Sequence, residues 1–133
     1  MKNRMVRILM AQLGDGYDKT MLQLAKVFRD AGFEVIYTDV QEPETIVASA
    51  LQESVDHIGI TTLPGANINK LSIITELLAR QNASDIRVTA GGFIAEEDES
   101  RIKKLGIVEF FPKGTTFSEL VKWAGENIKP IES

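Results

Sequence analysis

The chain is predicted to form one α/β domain, a doubly wound parallel sheet of five strands with helices on both faces. Short apolar segments of strand length alternate with longer segments of helical period, the connections are short, and no repeat or low-complexity tract interrupts the 133 residues. Right-handed crossovers then give a flavodoxin-like strand order of 2-1-3-4-5. We expect a single domain over residues 1–133, with its core at about 6–124 and a short, frayed tail at 129–133.

The five predicted strands are mostly apolar, as expected when helices cover both faces of a parallel sheet. We place them at Val6–Leu13, Glu34–Thr38, His57–Thr61, Arg87–Gly91 and Val108–Phe111. The winding direction reverses between the first and third strands, and open α/β sheets bind ligands in the crevice at the carboxyl ends of those strands.

The helices are predicted from apolar residues at helical spacing and from residues that begin or end helices. Asp18 is the expected N-cap of the first helix, and Gly32 stops it. Thr116 and Glu119 have the spacing of a capping box at the start of the last. We place the five helices from Thr20 to near Gly32, at Glu42–Gln52, Ile68–Gln81 and Glu96–Leu105, and after Thr116.

Composition excludes several classes of function. With 44% hydrophobic and 26% charged residues and a net charge of −4, the chain has the character of a globular protein without the basic stripe that nucleic acid requires. No apolar run is long enough to cross a bilayer, and the basic start leads into a strand, not a signal peptide, so we expect a cytoplasmic protein. The absence of cysteine excludes disulfides, thiolate metal sites and cysteine catalysis.

Three loops of small or polar residues follow the strands at the predicted crevice. They are Gly14–Thr20, Thr61–Gly65 and Gly91–Phe93. Any one of them is explained by a tight turn, but three that converge at the point of reversal indicate a ligand site. The adjacent glycines Gly91 and Gly92 would let a flat group approach the backbone closely.

The residues of these loops resemble the cobalamin-binding domain of the methylmalonyl-CoA mutase family. In that family the first loop has the motif Asp-x-His-x-x-Gly, which corresponds here to Asp15-x-Tyr17-x-x-Thr20. Thr61-x-Leu63 matches the family's Ser-x-Leu, Gly91-Gly92 matches its glycine pair, and the likeness extends from about Val6 to Ala124.

The resemblance implies that adenosylcobalamin is the cofactor and that this chain is the small subunit of an isomerase. The nucleotide tail of the cofactor would lie in a slot between strands one and three, the corrin ring would cover the top of the sheet, and a separate large (β/α)₈-barrel subunit would hold the acyl-CoA. No catalytic residue is expected in this chain, and its oligomeric state, including a homo-oligomer, stays open. The implied cofactor-binding residues are Asp15, Gly16, Tyr17, Thr61, Leu63, Gly91 and Gly92, with Tyr17 at the position of the cobalt-ligating histidine.

Tyr17 leaves the chemistry of the site open, because a phenol with a pKa near 10 offers cobalt only a weak neutral oxygen. Four hypotheses remain. In the first, the chain binds cobalamin with no protein ligand to cobalt and with the nucleotide tail in the slot. In the second, the base of cobalamin stays attached to cobalt and the slot is empty. Alternatively, it is a degenerate domain that is retained for assembly with a partner subunit and no longer holds cofactor, or Tyr17 is an introduced substitution. A non-catalytic cobalamin carrier or sensor is the alternative to the mutase role.

Other sites on this fold are less well supported. His57, the only histidine, is expected to be a solvated residue at the start of strand three, on the order of 13 Å from the carboxyl edge. Asp15 and Asp18 are better explained as loop and capping residues than as an acid/base pair, and Glu96–Glu99 as helix-capping carboxylates. A response-regulator receiver would need an aspartate where Thr61 stands, and flavin phosphate would meet two aspartates in the first loop.

Overall fold

The computed structural model describes residues 4–14, 19–40 and 42–131. Its strands are β1 (Arg7–Leu13), β2 (Glu34–Val40), β3 (His57–Thr62), β4 (Arg87–Gly92) and β5 (Glu109–Pro112). Its α-helices are α1 (Thr20–Asp30), α2 (Pro43–Gln52), α3 (Asn69–Arg80) and α4 (Phe117–Asn127), and a 3₁₀ segment occupies Glu96–Leu105. Over these ranges, none of the helices has the length and apolar character needed to cross a bilayer.

All five strands are parallel, in the order β2-β1-β3-β4-β5, which confirms the predicted topology. The register pairs Gln12 of β1 with Thr61 of β3, and Thr61 in turn with Gly91 of β4. Residues that share this register also share a face of the sheet. The ends of β1, β3 and β4, from which the predicted crevice loops leave, therefore lie side by side at one edge.

Two apolar layers cover the two faces of the sheet. One lies under α2 and α3 and includes Leu9, Ile58 and Val88, all of them almost fully buried. The other lies under α1 and α4 and includes Ile8 and Met10. Alternate residues of β1 thus enter opposite layers, which explains why this strand is apolar along its whole length.

Most helix ends follow from local sequence. Pro43 stands at the first position of α2, where its missing N–H costs no hydrogen bond. The capping box of α4 is confirmed, because Thr116 Oγ1 accepts from the Glu119 N–H at 3.1 Å and Glu119 Oε1 accepts from the Thr116 N–H at 3.0 Å. The helix α1 begins at Thr20, after Lys19 in right-handed helical conformation, and its predicted N-cap Asp18 lies outside the described residues.

The predicted fourth α-helix is instead a 3₁₀ segment over the same residues, Glu96–Leu105. An α-helix depends on packing one apolar face, and this segment buries Ile102 alone. The prediction of helical winding was right, but that of its type was wrong. Gly106 ends the segment in the left-handed conformation, with φ of 93°.

Asp56, just before β3, joins both ends of the described chain at the amino edge of the sheet. Its carboxylate accepts from Arg4 Nη1 and Nη2 at 2.8 and 2.6 Å, from the Arg7 N–H at 2.8 Å and from the Ile131 N–H at 2.9 Å. Burial alone would raise the pKa of this carboxyl, but these hydrogen bonds and the Arg4 charge hold the pKa below its usual value. The expectation of a frayed tail is therefore wrong as far as Ile131.

Candidate functional site

A cavity of about 380 Å³ lies between the sheet and the helices α1 and α4. This volume falls within the roughly 300–1,000 Å³ of small-molecule sites. The cavity runs from Gly92, Phe93 and Lys113 at the carboxyl edge to His57 and Ile128 at the amino edge. It is therefore a deep slot with its mouth where the sequence predicts the crevice.

The slot exists because β3 carries a small residue in the middle of this face. Gly59 lies between Thr61 and His57 on the strand, and the side chain it lacks leaves open space. In the part of the chain that the structure describes, the one atom beyond the adjacent residues within 4 Å of a Cβ atom on Gly59 would be Thr89 Oγ1, at 3.8 Å. A ligand can therefore lie directly on the backbone of β3.

The glycine pair after β4 has a structural role beside the mouth. Gly92 has φ of +119°, and a Cβ atom there would stand 2.5 Å from the Thr62 carbonyl oxygen. A Cβ atom on Gly91 would stand 2.8 Å from the carbonyl oxygen of Phe111. Close backbone packing therefore requires both glycines, whatever ligand the slot holds.

Polar side chains near the mouth differ in how their hydrogen bonds are satisfied. Thr61 is half-buried, and its hydroxyl donates to Met21 Sδ at 2.7 Å. Gln12, at the carboxyl end of β1, donates from Nε2 to the Tyr37 hydroxyl at 3.0 Å. Its Oε1 is buried and has no hydrogen-bond partner among the described residues. A donor from outside these residues, in the chain or in a ligand, would complete it.

The mouth carries a positive charge and an exposed aromatic ring. Lys113 Nζ lies 4.0 Å from the centroid of the Phe93 ring, which is 43% exposed. Such a cation–π contact holds the ring in place beside the opening. A flat ligand lying across the carboxyl edge would meet this pair.

His57 lies at the deep end of the slot and is buried, with 3% of its surface exposed. Its Nε2 lies 3.0 Å from Thr89 Oγ1, and its ring centroid lies 6.4 Å from that of Trp123. Burial and the positive charge of Arg87 lower the pKa of His57 to about 4, so the imidazole is neutral at pH 7. The prediction of a solvated histidine is wrong, because α4 brings Trp123 over the start of β3.

The sequence-predicted residues divide into three groups. Thr61, Gly91 and Gly92 lie together on the slot, as expected. Leu63 is buried just beyond β3 and is not part of the cavity wall. Asp15, Gly16 and Tyr17 lie outside the described residues. Within residues 4–14, 19–40 and 42–131, no three histidine or carboxylate side chains converge to bind a metal ion.

Comparison with known proteins identifies the family. The family model described as the B12-binding domain matches residues 7–121. The chain belongs to the B12-binding domain family. It is 38% identical over 112 residues to the 2-hydroxyisobutanoyl-CoA mutase small subunit of Aquincola tertiaricarbonis, covering 83% of this chain and 82% of that relative.

Other relatives of this B12-binding domain are much longer. It is 32% identical over 120 residues to the methylmalonyl-CoA mutase large subunit of Propionibacterium freudenreichii subsp. shermanii, covering 89% of this chain but 16% of that one. In solved structures, a cobalamin-binding protein from Desulfitobacterium hafniense DCB-2 matches 93% of this chain and 59% of its own, with a TM-score of 0.77 and 18% identity. The chemotaxis protein CheY4 of Vibrio cholerae matches 92% of this chain and 98% of its own, with a TM-score of 0.70 and 15% identity. At these identities the solved structures show the fold alone.

The residues present fit the nucleotide tail of cobalamin. The tail ends in a flat aromatic base, and the slot offers bare backbone at Gly59 and an aromatic wall in which Phe111 meets Trp123 edge-on at 5.3 Å. The half-buried hydroxyl of Thr61 lies near the mouth of the slot. The B12-binding domain therefore retains a slot into which such a base can enter.

The depth of this slot goes beyond the crevice that the strand ends predict. His57, Gly59 and Thr61 recur at every second position of β3, and alternate residues of a strand share a face. A small or polar set on one face of an otherwise apolar strand was the available signal. Trp123 could not be placed there from local sequence, because its position depends on how α4 docks on the sheet.

Proposed function

We propose that this chain is the cobalamin-binding small subunit of an acyl-CoA mutase-like carbon-skeleton isomerase. It holds adenosylcobalamin for a separate large subunit with a (β/α)₈ barrel, and has no turnover alone. When bound, adenosylcobalamin supplies a cobalt–carbon bond whose homolysis starts radical rearrangement. The observation that carries the proposal is the slot of about 380 Å³ beside Gly59 and Thr61, whose open space at Gly59 is where we place a nucleotide tail detached from cobalt.

The role as a separate subunit is supported by the extent of the match. The small-subunit relative is covered over 82% of its length, whereas the large-subunit relative is covered over 16%. The matched region is the B12-binding domain, and the proposed partner is the large subunit that encloses the acyl-CoA.

Tyr17 favours a second function, a non-catalytic cobalamin carrier or sensor. A protein without a histidine ligand holds the cofactor through the slot and the corrin face alone, which suits transfer to another protein. Under either function Asp15, Gly16, Tyr17 and Leu63 remain proposed cofactor contacts, and coordination of cobalt by Tyr17 is not required.

Mixing the purified chain with hydroxocobalamin and adenosylcobalamin, followed by gel filtration and visible spectroscopy, tests the proposal. Retained colour with a base-off spectrum supports a tail in the slot. A base-on spectrum would show that cobalamin binds without its tail in the slot. A colourless protein would contradict cobalamin binding, and with it both proposed functions. Tyr17→His should convert the spectrum to that of a histidine-bound form, and an unchanged spectrum would show that the loop has been aligned wrongly.

Addition of an acyl-CoA mutase large subunit separates the two functions. The mutase role requires that the loaded chain form a complex with the large subunit and yield turnover with an acyl-CoA. A carrier is expected to give up its colour to the partner and to elute without it.

A further inference from the structure

The deep end of the slot is polar, although its surroundings are apolar. Ile8, Met10, Phe28, Ala124 and Ile128 line this part of the cavity with hydrocarbon. His57 and Thr89 interrupt them with a hydrogen-bonded pair, 3.0 Å between Nε2 and Oγ1. Both side chains are more than nine-tenths buried, so the pair is not part of a solvated surface.

The Thr89 hydroxyl faces the open space of the slot. Thr89 pairs with Gly59 in the parallel register, and its Oγ1 is 3.8 Å from the point where a Cβ atom on Gly59 would stand. Among the described residues other than the two chain neighbours of Gly59, no other heavy atom lies within 4 Å of that point. A ligand atom in this space can therefore approach the hydroxyl without displacing protein atoms.

The pair has unused hydrogen-bonding capacity. A neutral imidazole has one donor and one acceptor nitrogen, and a hydroxyl has one donor and two acceptor sites. If His57 Nε2 is protonated, the N–H donates a hydrogen bond to Thr89 Oγ1, and the O–H of Thr89 remains available to donate to a ligand. If Nε2 is unprotonated, the Thr89 hydroxyl donates to it, and a lone pair on Oγ1 remains available to accept a hydrogen bond from a ligand. In both tautomers one further hydrogen bond can be made toward the slot.

The position of the pair matches the far edge of a base. Gly59 lies two residues below Thr61 on β3, about 7 Å at the rise of a strand. A fused bicyclic base whose near ring lies beside Thr61 extends its far ring toward Gly59 and Thr89. On the strength of the proposed function, we propose that the Thr89–His57 pair selects corrinoids by the far edge of the nucleotide base. It favours a base with a hydroxyl or amino group there over the dimethylated ring of cobalamin.

The preference follows from what each base leaves unpaired. A hydroxyl on the far ring makes the additional hydrogen bond with Thr89, whereas methyl groups exclude water from that hydroxyl without replacing the bond. One neutral hydrogen bond corresponds to about a tenfold difference in affinity. We therefore expect the wild-type chain to bind the 5-hydroxybenzimidazolyl counterpart about tenfold more tightly than cobalamin.

The test compares the dissociation constants of these two corrinoids, which differ only in the base. Binding is followed by the visible spectrum and by quenching of Trp123, the only tryptophan, which lines the slot. Thr89→Val should abolish the preference, and Thr89→Ser, which restores the hydroxyl, should retain it. Thr61→Val is the matched control, because it removes a hydroxyl near the mouth of the slot. It should weaken the binding of both corrinoids by the same factor and leave their ratio unchanged.

The results distinguish this inference from the proposed function. A wild-type chain that binds both corrinoids equally, or a Thr89→Val variant that keeps the wild-type ratio, overturns the inference but leaves cobalamin binding intact. A wild-type chain that retains neither corrinoid overturns both. Should Thr89→Val fail to fold, the wild-type ratio and the Thr89→Ser ratio still decide the matter.

Discussion

The backbone of Gly92 packs so closely on Thr62 that a Cβ atom on Gly92 would stand 2.5 Å from the Thr62 carbonyl oxygen. The Phe93 N–H donates to the same oxygen at 3.1 Å, and the Thr62 hydroxyl donates to the Phe93 carbonyl oxygen at 2.6 Å. These contacts fix the chain after β4 beside the end of β3. The mouth of the slot is thus built from backbone that leaves no room for a side chain.

Gly92→Ala should therefore destabilise the fold by at least about 2 kcal/mol, because strain at positive φ is added to a clash with backbone. Gly32→Ala is the control, since Gly32 has φ of +100° but no described atom beyond its adjacent residues within 4 Å of an added Cβ. It should cost only about 1 kcal/mol. Urea unfolding of both variants measures the difference, and equal losses would show that the close packing at Gly92 is unimportant.

Gly59→Val should close the slot without unfolding the protein. The nearest atom to an added Cβ is 3.8 Å away, an ordinary contact, and valine is favoured in strands. The melting temperature should stay within a few degrees of wild type, while retention of base-off cobalamin in gel filtration falls at least about tenfold. Gly125→Ala, at an exposed helix position with open space around it, is the control and should leave retention unchanged. A Gly59→Val variant that still retains base-off cobalamin would place the tail elsewhere.

His57 should make stability depend on pH between 4 and 6.5. Its pKa falls from 6.5 in the unfolded chain to about 4 in the fold, so only the unfolded state gains a proton in that window. Its contribution is thus fully present above pH 6.5 and declines as the pH falls. Between pH 7 and pH 5 the free energy of unfolding should drop by about 2 kcal/mol from this group.

His57→Gln is the variant that isolates this effect, because the amide keeps a hydrogen-bonding group but does not titrate. The loss between pH 7 and pH 5, measured by urea unfolding, should be smaller than in wild type by that amount. The same slope in both proteins would assign the pH dependence to another group. The charged residues around the hollow that adjoins His57 at the amino edge are Asp56, Asp85, Arg87, Glu109 and Lys129.

Asp56→Asn should cost about 2 kcal/mol of stability, because it weakens charge-assisted hydrogen bonds from Arg4, Arg7 and Ile131. Arg4 is 48% exposed and remains solvated, which limits the loss. Asp30→Asn removes an exposed pair with Lys26 and should change stability by less than about 0.5 kcal/mol. Thermal unfolding compares the two, and similar shifts would mean that Asp56 is no more important than a surface carboxylate.

The sequence predicts the strands, their order and the edge that holds the site, because apolar period and turn residues are local signals. It does not predict features that depend on packing between segments far apart in the chain. His57 is buried by Trp123, which lies 66 positions later, and the 3₁₀ winding of Glu96–Leu105 reflects how little of that segment packs on the sheet. Thr61 and the glycine pair were found because they stand at strand ends, whereas Thr89 lies inside a strand with no turn to mark it.

The Asp56 carboxylate binds both Arg4 and Ile131 at the amino edge of the sheet, opposite the mouth of the slot. Both ends of the described chain therefore lie on the side of the domain away from the ligand. The same unit can be joined to other proteins, spliced into a longer chain or tethered to a bead through either end, while its opening still points outward.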